Sequence, residues 1–271
     1  MSLYIPNPGD MLTENTAWKW YSNISAEIDS AFLDDKQRNH MMSYYYEAGL
    51  LRAWRSPFFR YHYARTFAAA SSFLLPTSES QPLILDLGCG TGTQSIAFAL
   101  LGANVISLDM DNLALDILKK RKSFYEEQAG RCLNIRVLNA DVMQVDYNLY
   151  APIDGIYSLF AFNLMQPSFR LLSTIVPHMS DKGRIVLLDG NRLSWVSRLL
   201  PWRRRSVLSP LEMTDTLNKF NFEVVDHHGG VVFPPIFWSS APYAALSRLD
   251  HWLGRKSWFF PVSHQIYAAR S

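Results

Sequence analysis

The chain has 271 residues, 48% of them hydrophobic and 18% charged, enough to build one large core, which excludes intrinsic disorder as its dominant state. With 26 Lys and Arg against 24 Asp and Glu the net charge is +2, so no global field exists to hold it on nucleic acid or on an anionic membrane. Two cysteines, Cys89 and Cys132, exclude a disulfide framework and a four-thiolate zinc site, and they fit a reducing, cytoplasmic setting.

Residues 1–18 contain Pro6, Pro8, Gly9 and Asp10 but no Lys or Arg, so they lack the basic start and apolar centre of a signal peptide and are expected to be mature sequence. Residues 13–75 are rich in aromatics (Trp18, Trp20, Tyr21, Tyr44, Tyr45, Tyr46, Phe58, Phe59) at helical spacing. They predict a helical N-terminal extension, residues 1–80, acting as a lid. Pro76 to Pro82 is the joining loop. From there strand-like runs at 83–87, 104–108, 135–139, 155–160, 184–189, 222–226 and 262–269 alternate with helical segments near 94–101, 112–129, 166–178 and 209–220. This alternation predicts an α/β domain over 81–271: a doubly wound, mostly parallel, seven-stranded Rossmann-like sheet. Two uncharged runs, 87–108 and 227–247, are interrupted by Gly and Pro respectively, and neither predicts a membrane span.

The chemistry concentrates where the first strand meets a helix. Leu83-Ile84-Leu85-Asp86-Leu87 runs into Gly88-Cys89-Gly90-Thr91-Gly92. Glycines at such a turn let backbone approach a ligand where a Cβ would collide, and the following helix N-terminus favours negative charge. Asp109 ends the second strand, 21 residues after Gly88, where a carboxylate can accept hydrogen bonds from a ribose diol. The glycines fall at 88, 90 and 92, not in the G-x-G-x-x-G spacing of dinucleotide folds. Asp86 is placed to orient the loop or to face a ligand's ammonium group.

Asp86-Leu87-Gly88-Cys89-Gly90-Thr91-Gly92 followed by Asp109 strongly resembles the first two motifs of the class I S-adenosylmethionine-dependent methyltransferases. Asn139-Ala140-Asp141-Val142, Asp154-Gly155-Ile156-Tyr157-Ser158-Leu159 and Lys182-Gly183-Arg184-Ile185-Val186-Leu187-Leu188 match that family's later segments, so the resemblance covers roughly 82–190. It implies S-adenosylmethionine as cofactor. Gly88, Gly90 and Gly92 would shape the methionine side of the pocket, Asp109 would hold the ribose hydroxyls and Asp141 would face the adenine, with Asp86, Cys89, Met110, Val142 and Ser158 also binding the cofactor. Cys89 is expected to be a filler and not a nucleophile.

The resemblance says nothing of the acceptor. No Asp/Asn-Pro-Pro-aromatic motif follows the fourth strand, and the net charge is small, so a nucleic-acid substrate is not expected. The basic stretch 192–205 is expected to be a solvated loop. A small apolar or aromatic molecule, methylated on O or N, is the expected acceptor, with Tyr44, Tyr45, Phe162, Asn163 and Phe233 lining its pocket. If a hydroxyl is methylated, His227 and His228, at the end of the sixth strand, are the expected general bases, with His40 and His62 as substitutes. No metal is implied. The competing readings are a non-catalytic binding or scaffold module of the same fold and a nicotinamide-dependent oxidoreductase.

Overall fold

The computed structural model describes residues 3–47, 56–75, 81–199, 208–232, 243–256 and 261–271. Phe233, Trp202 and Arg203 to Arg205 lie outside them. The N-terminal extension is three helices, α1 (Glu14–Ile28), α2 (Asp35–Met42) and α3 (Pro57–Leu74), with a π-helical turn at Ser43–Glu47. Local chemistry starts each one. Thr13 caps α1 and exchanges hydrogen bonds with Thr16, Asp34 caps α2 and does the same with Gln37, and Pro57 opens α3.

The α/β part follows as β1 (Leu83–Leu87), α4 (Thr93–Leu100), β2 (Asn104–Asp109), α5 (Asn112–Ala129), β3 (Ile135–Asn139), β4 (Ile153–Leu159), α6 (Ser168–Ile175), β5 (Met179–Gly190), α7 (Trp195–Leu199), α8 (Pro210–Asn218), β6 (Phe222–Gly230), α9 (Tyr243–Lys256) and β7 (Ser263–Arg270). The strands form one seven-stranded sheet in the order β3-β2-β1-β4-β5-β7-β6. All pairs are parallel except those of β7, which runs antiparallel to both β5 and β6. That inserted strand departs from the 3-2-1-4-5-6 order of the dinucleotide-binding fold.

Side chains alternate across the sheet, and both faces are covered, so the central strands are mostly apolar. On one face Ile84, Val105, Tyr157, Val186 and Tyr267 pack with Trp20, Tyr21 and Ile24 of α1, Phe67 of α3, Phe98 of α4 and Leu118 of α5. On the other, Leu85, Ile106, Ile156, Ile185 and Ile266 pack with Leu171 and Leu172 of α6 and Met213 of α8. The extension thus shares a core with the sheet.

Several elements differ from the sequence reading, among them α7, which lies in the stretch 192–205 expected to be a loop. The helix expected at 166–178 is α6 plus a separate 3-10 turn, Val176–His178, because Pro177 has no N–H to continue the ladder. β5 and β6 extend further, to Met179–Gly190 and Phe222–Gly230. Helix α9 has no counterpart in the expected elements. Its buried positions include Ser247, Asp250 and Gly254, small or polar residues that carry no apolar stripe.

Candidate functional site

The turn after β1 is held by its neighbours. Gly88 N and Cys89 N both donate to the Leu108 carbonyl at the end of β2, at 2.8 and 3.0 Å, and Gly92 N donates to Cys89 O at 2.9 Å. Gly88, Gly90 and Gly92 take φ values of +70°, +52° and +77°, all left-handed. At Gly92, the residue before α4, an added Cβ would stand 2.0 Å from Leu118 Cδ1 of α5. Gly92→Ala therefore combines left-handed strain with overpacking of a buried leucine, and is expected to destabilise the fold by about 2–4 kcal/mol in urea unfolding.

Two carboxylates flank this turn. Asp86 is buried, accepts from the Ser95 hydroxyl at 2.5 Å, and is shored up by Ser107, whose hydroxyl lies 2.8 Å from that of Ser95. Burial raises its pKa to about 7, with the Asp109 charge adding to the rise and Ser95 opposing it. Asp109 ends β2. Its Oδ2 accepts from Gly90 N at 2.8 Å and its Oδ1 from Asp111 N at 2.9 Å, and each oxygen keeps a lone pair for a ligand. Met110 beside it is 72% exposed, an apolar side chain standing at the sheet edge. Asp111 caps α5 through Leu113 N and Ala114 N. At the same edge Asp109 pairs in register with Asn139 of β3, two residues before Asp141. Asp141 is exposed, and its Oδ1 accepts from Met143 N at 2.9 Å.

Below the turn, the Ser158 hydroxyl donates to Leu87 O at 3.1 Å. Val142 is buried, and its carbonyl takes the Tyr147 hydroxyl at 2.8 Å. The Cys89 thiol is buried and its pKa is pushed well above the ordinary thiol value by desolvation, so it is a neutral filler.

The extension reaches the turn through a buried polar network. Arg121 of α5 and Glu27 of α1 pair with both side chains wholly buried, Arg121 Nη2 donating to Glu27 Oε1 at 3.0 Å. Arg121 Nη1 also donates to Thr91 O at 2.7 Å and to Thr93 Oγ1 at 2.8 Å. The Tyr125 hydroxyl donates to Glu27 Oε1 at 2.6 Å, the Tyr45 hydroxyl bonds Thr91 Oγ1 at 3.0 Å, and Trp20 Nε1 donates to Thr93 O at 3.2 Å. Tyr44 lies above, its hydroxyl 2.8 Å from where a Gly90 Cβ would stand. Tyr44 is partly exposed, and desolvation raises its pKa.

The remaining expected residues separate. Phe162 is fully buried in the core of the α6–α8 face and does not line a pocket. Asn163 is a brace. Its N–H donates to Asp189 Oδ2 at 2.8 Å, its Nδ2 to Gly190 O at 3.4 Å, and its Oδ1 accepts from Leu208 N at 2.9 Å. Asp189, at the end of β5, has its pKa raised to about 6 by burial. His227 and His228 lie on β6, four strand spacings from β1, or about 19 Å across the sheet. β4, β5 and β7 lie between β1 and β6. His228 Nε2 sits 2.9 Å from Asp226 Oδ2, and its ring lies 4.9 Å from that of His251. His62 is buried in α3, where burial lowers its pKa to about 3.

The sequence reading did not single out Phe160. It follows β4 with φ +53°, a conformation that costs a non-glycine residue about 1–3 kcal/mol and that clusters at ligand sites. Phe160 N donates to Leu188 O at 2.7 Å, its ring is 37% exposed and lies 6.0 Å from Tyr63, and the next residue, Ala161, would touch a Gly88 Cβ at 2.3 Å.

A family model described as a methyltransferase domain matches residues 84–183, from β1 into β5. The chain is 27% identical over 175 residues to a ubiquinone biosynthesis O-methyltransferase of Roseobacter denitrificans, covering 58% of this chain and 65% of that protein. It is 28% identical over 129 residues to a ribosomal protein L11 methyltransferase of Campylobacter jejuni, covering 48% and 41%. The matches span less than two thirds of the length of these relatives. In fold, the chain resembles the plantazolicin methyltransferase BpumL in complex with SAH (TM-score 0.54, 17% identity, 95% of this chain and 98% of that one). It also resembles the magnesium protoporphyrin IX methyltransferase ChlM of Synechocystis PCC 6803 with bound SAM (TM-score 0.51, 17% identity, 89% and 100%).

Proposed function

We propose, from the premise that this chain belongs to the class I S-adenosylmethionine-dependent methyltransferases, that it transfers a methyl group to an oxygen or nitrogen of a small apolar or aromatic molecule. One observation carries the reading: a glycine turn at the carboxyl edge of β1 lies between a buried carboxylate, Asp86, and a strand-end carboxylate, Asp109. Positive φ at three glycines and two acids fit a cationic, diol-bearing ligand. S-adenosylmethionine, bound there, supplies a methyl group already activated by its sulfonium.

In this proposal Asp109 accepts the ribose hydroxyls, Met110 and Asp141 border the adenine, and Asp86 answers the ammonium group. Residues 1–80 act as the lid, with Tyr44 and Tyr45 closing over the turn while Phe160 and Tyr63 wall the acceptor's side. The chain then has only to align the acceptor and keep water out. The similarity to a ubiquinone biosynthesis O-methyltransferase supports an oxygen acceptor on a small molecule.

The test is calorimetric titration with S-adenosylhomocysteine, followed by a methylation panel of phenols, amines and short peptides with mass readout. Saturable binding and methylation of a phenol or aromatic amine are expected. Lack of saturable binding, or methylation of peptides alone, would overturn the reading.

Ionisation of Asp86 gives it a pH signature. Its carboxyl is raised to about 7, so the ligand-free chain holds that proton below neutrality. The ligand's ammonium group favours the ionised form, so binding expels the proton. Affinity for S-adenosylhomocysteine should rise by up to about tenfold per pH unit below about 7 and level off above it. Asp86→Asn should flatten the profile. Calorimetry in buffers of different ionisation enthalpy measures the released proton directly.

His227 and His228 are not bases in this proposal. Burial lowers the His227 pKa to about 4, too weak for efficient proton removal near neutrality, and both lie far from the turn. Turnover of His227→Gln and His228→Gln should stay well short of the roughly 10²–10⁴-fold loss that removal of a general base causes.

A further inference from the structure

Helix α9 is fastened to the rest of the protein by one side. Ser247, Asp250 and Gly254 share that side and are buried. Ser247 O accepts from Arg65 Nη1 of α3 at 2.7 Å, and Asp250 accepts from Val231 N at 2.9 Å and Val232 N at 2.6 Å, just past β6. A Cβ on Gly254 would stand 2.1 Å from Gly229 O, so helix and strand touch backbone to backbone. These contacts fix the rotation of α9 about its axis, and the fold thereby sets what the helix shows to solvent.

The outward side mixes apolar and cationic residues. Ala245, Arg248, Leu249, Trp252, Arg255 and Lys256 are all exposed, and at 3.6 residues per turn they fall within an arc of about 120°. Leu249 is 46% and Trp252 57% exposed, one turn apart. Arg248, Arg255 and Lys256 surround them, and the acid of the helix, Asp250, points inward. Arg255 Nη2 lies 3.6 Å from Asp226 Oδ1, whereas neither Arg248 nor Lys256 has a salt bridge among the described residues. A chain whose net charge is only +2 thus gathers three cations around one exposed Trp-Leu pair.

A scattered apolar residue on a surface needs no explanation, but this set has a specific chemistry. Trp settles at the level of lipid headgroups, Leu beneath it, and Arg and Lys lay their stems along apolar surface while their charges reach anionic groups. The area argues against a protein occupant. One face of this 14-residue helix, about 21 Å long and about 10 Å wide, offers roughly 200 Å², against about 800 Å² on each side of a standard protein interface. Lys is also depleted in such interfaces, while an anionic leaflet attracts each cation near it. No described helix is long and apolar enough to cross a membrane, so α9 is suited to lie on one.

We propose that the outer face of α9 docks the protein on an anionic lipid surface. Trp252 and Leu249 enter the headgroup layer, and Arg248, Arg255 and Lys256 pair with the anionic headgroups around them.

The test is co-sedimentation of the full chain with vesicles of phosphatidylcholine containing about 30% phosphatidylglycerol, beside vesicles of phosphatidylcholine alone, at about 0.1 M and about 1 M salt. The chain should partition onto the anionic vesicles at low salt, and at least about tenfold more weakly onto the neutral ones or at high salt. Replacing the cations together, Arg248→Gln with Arg255→Gln and Lys256→Gln, should weaken the partition about 25- to 100-fold, at roughly fivefold for each charge near the surface. Leu249→Gln with Trp252→Gln should weaken it at least about tenfold. Both variants change exposed side chains and should keep the wild-type thermal midpoint, which separates lost docking from lost folding. No partition onto the anionic vesicles, equal partition onto both kinds, or undiminished partition of the two variants would overturn the proposal. So would a dimer in light scattering that Leu249→Gln with Trp252→Gln dissociates while vesicle binding is absent, which would give the face to a second copy of the chain. Each of these outcomes is independent of whether the glycine turn binds its cofactor.

Discussion

Glu27→Ala is expected to cost the folded state about 3–5 kcal/mol, a large share of the roughly 5–15 kcal/mol that stabilises a typical domain. The reason is the charge left behind. Arg121 has no exposed surface, and its other contacts, Thr91 O and Thr93 Oγ1, are neutral. Burial lowers the Arg121 pKa, but the Glu27 charge and hydrogen bond, together with Tyr45 and Tyr125, raise it by more, so the guanidinium stays charged with its partner present. With Glu27 gone, the cation is neither solvated nor paired, and the Tyr125 hydroxyl loses its acceptor as well.

Replacing both partners separates the charge effect from the shape effect. Glu27→Met with Arg121→Met removes both desolvation penalties, and double replacements of this kind are often close to neutral. Stability in urea should therefore recover most of the loss caused by Glu27→Ala. Cofactor affinity should not recover, because Arg121 also fixes the Thr91 carbonyl inside the turn. Equal destabilisation of the single and double variants would mean that packing, and not the buried charge, sets the cost.

What could be read from the sequence follows from which signals are local. The strands from β1 to β5 announce themselves as apolar runs, and Gly88-Cys89-Gly90-Thr91-Gly92 marks the turn because only glycine tolerates those backbone angles at such packing. Strand order is not local. Nothing in residues 262–269 says that β7 inserts between β5 and β6, or that β6 and its histidines end up four strands from β1. Glu27 and Arg121 are 94 residues apart, and Arg121 sits in the run Lys119-Lys120-Arg121-Lys122, which resembles a solvated face. Helical period offered the missing clue: Ile117, Leu118 and Tyr125 share the face of Arg121, and all are buried. Asn163 was legible as a polar residue after β4 but not as a brace, because its three partners come from β5 and from the segment before α8.

Asp109→Ala is expected to weaken S-adenosylhomocysteine binding by about 1.5–3 kcal/mol, roughly 10- to 100-fold, as the loss of charge-assisted hydrogen bonds to the ribose. The geometry adds a second cost, since the same carboxylate accepts Gly90 N and Asp111 N and so holds the turn against the start of α5. Asp109→Asn separates the two effects. Its single carbonyl oxygen can keep the Gly90 bond, while its amide can no longer accept from Asp111 N or from a second hydroxyl. If Asp109 is the ribose anchor, the Asn variant should keep most of the thermal midpoint and still lose most of the affinity. A holder of the turn alone would instead lose midpoint and affinity in proportion across both variants. Calorimetric affinity plotted against thermal midpoint for the wild type, Asn and Ala proteins distinguishes these outcomes, and unchanged affinity in a folded Asp109→Ala chain would remove Asp109 from the binding site.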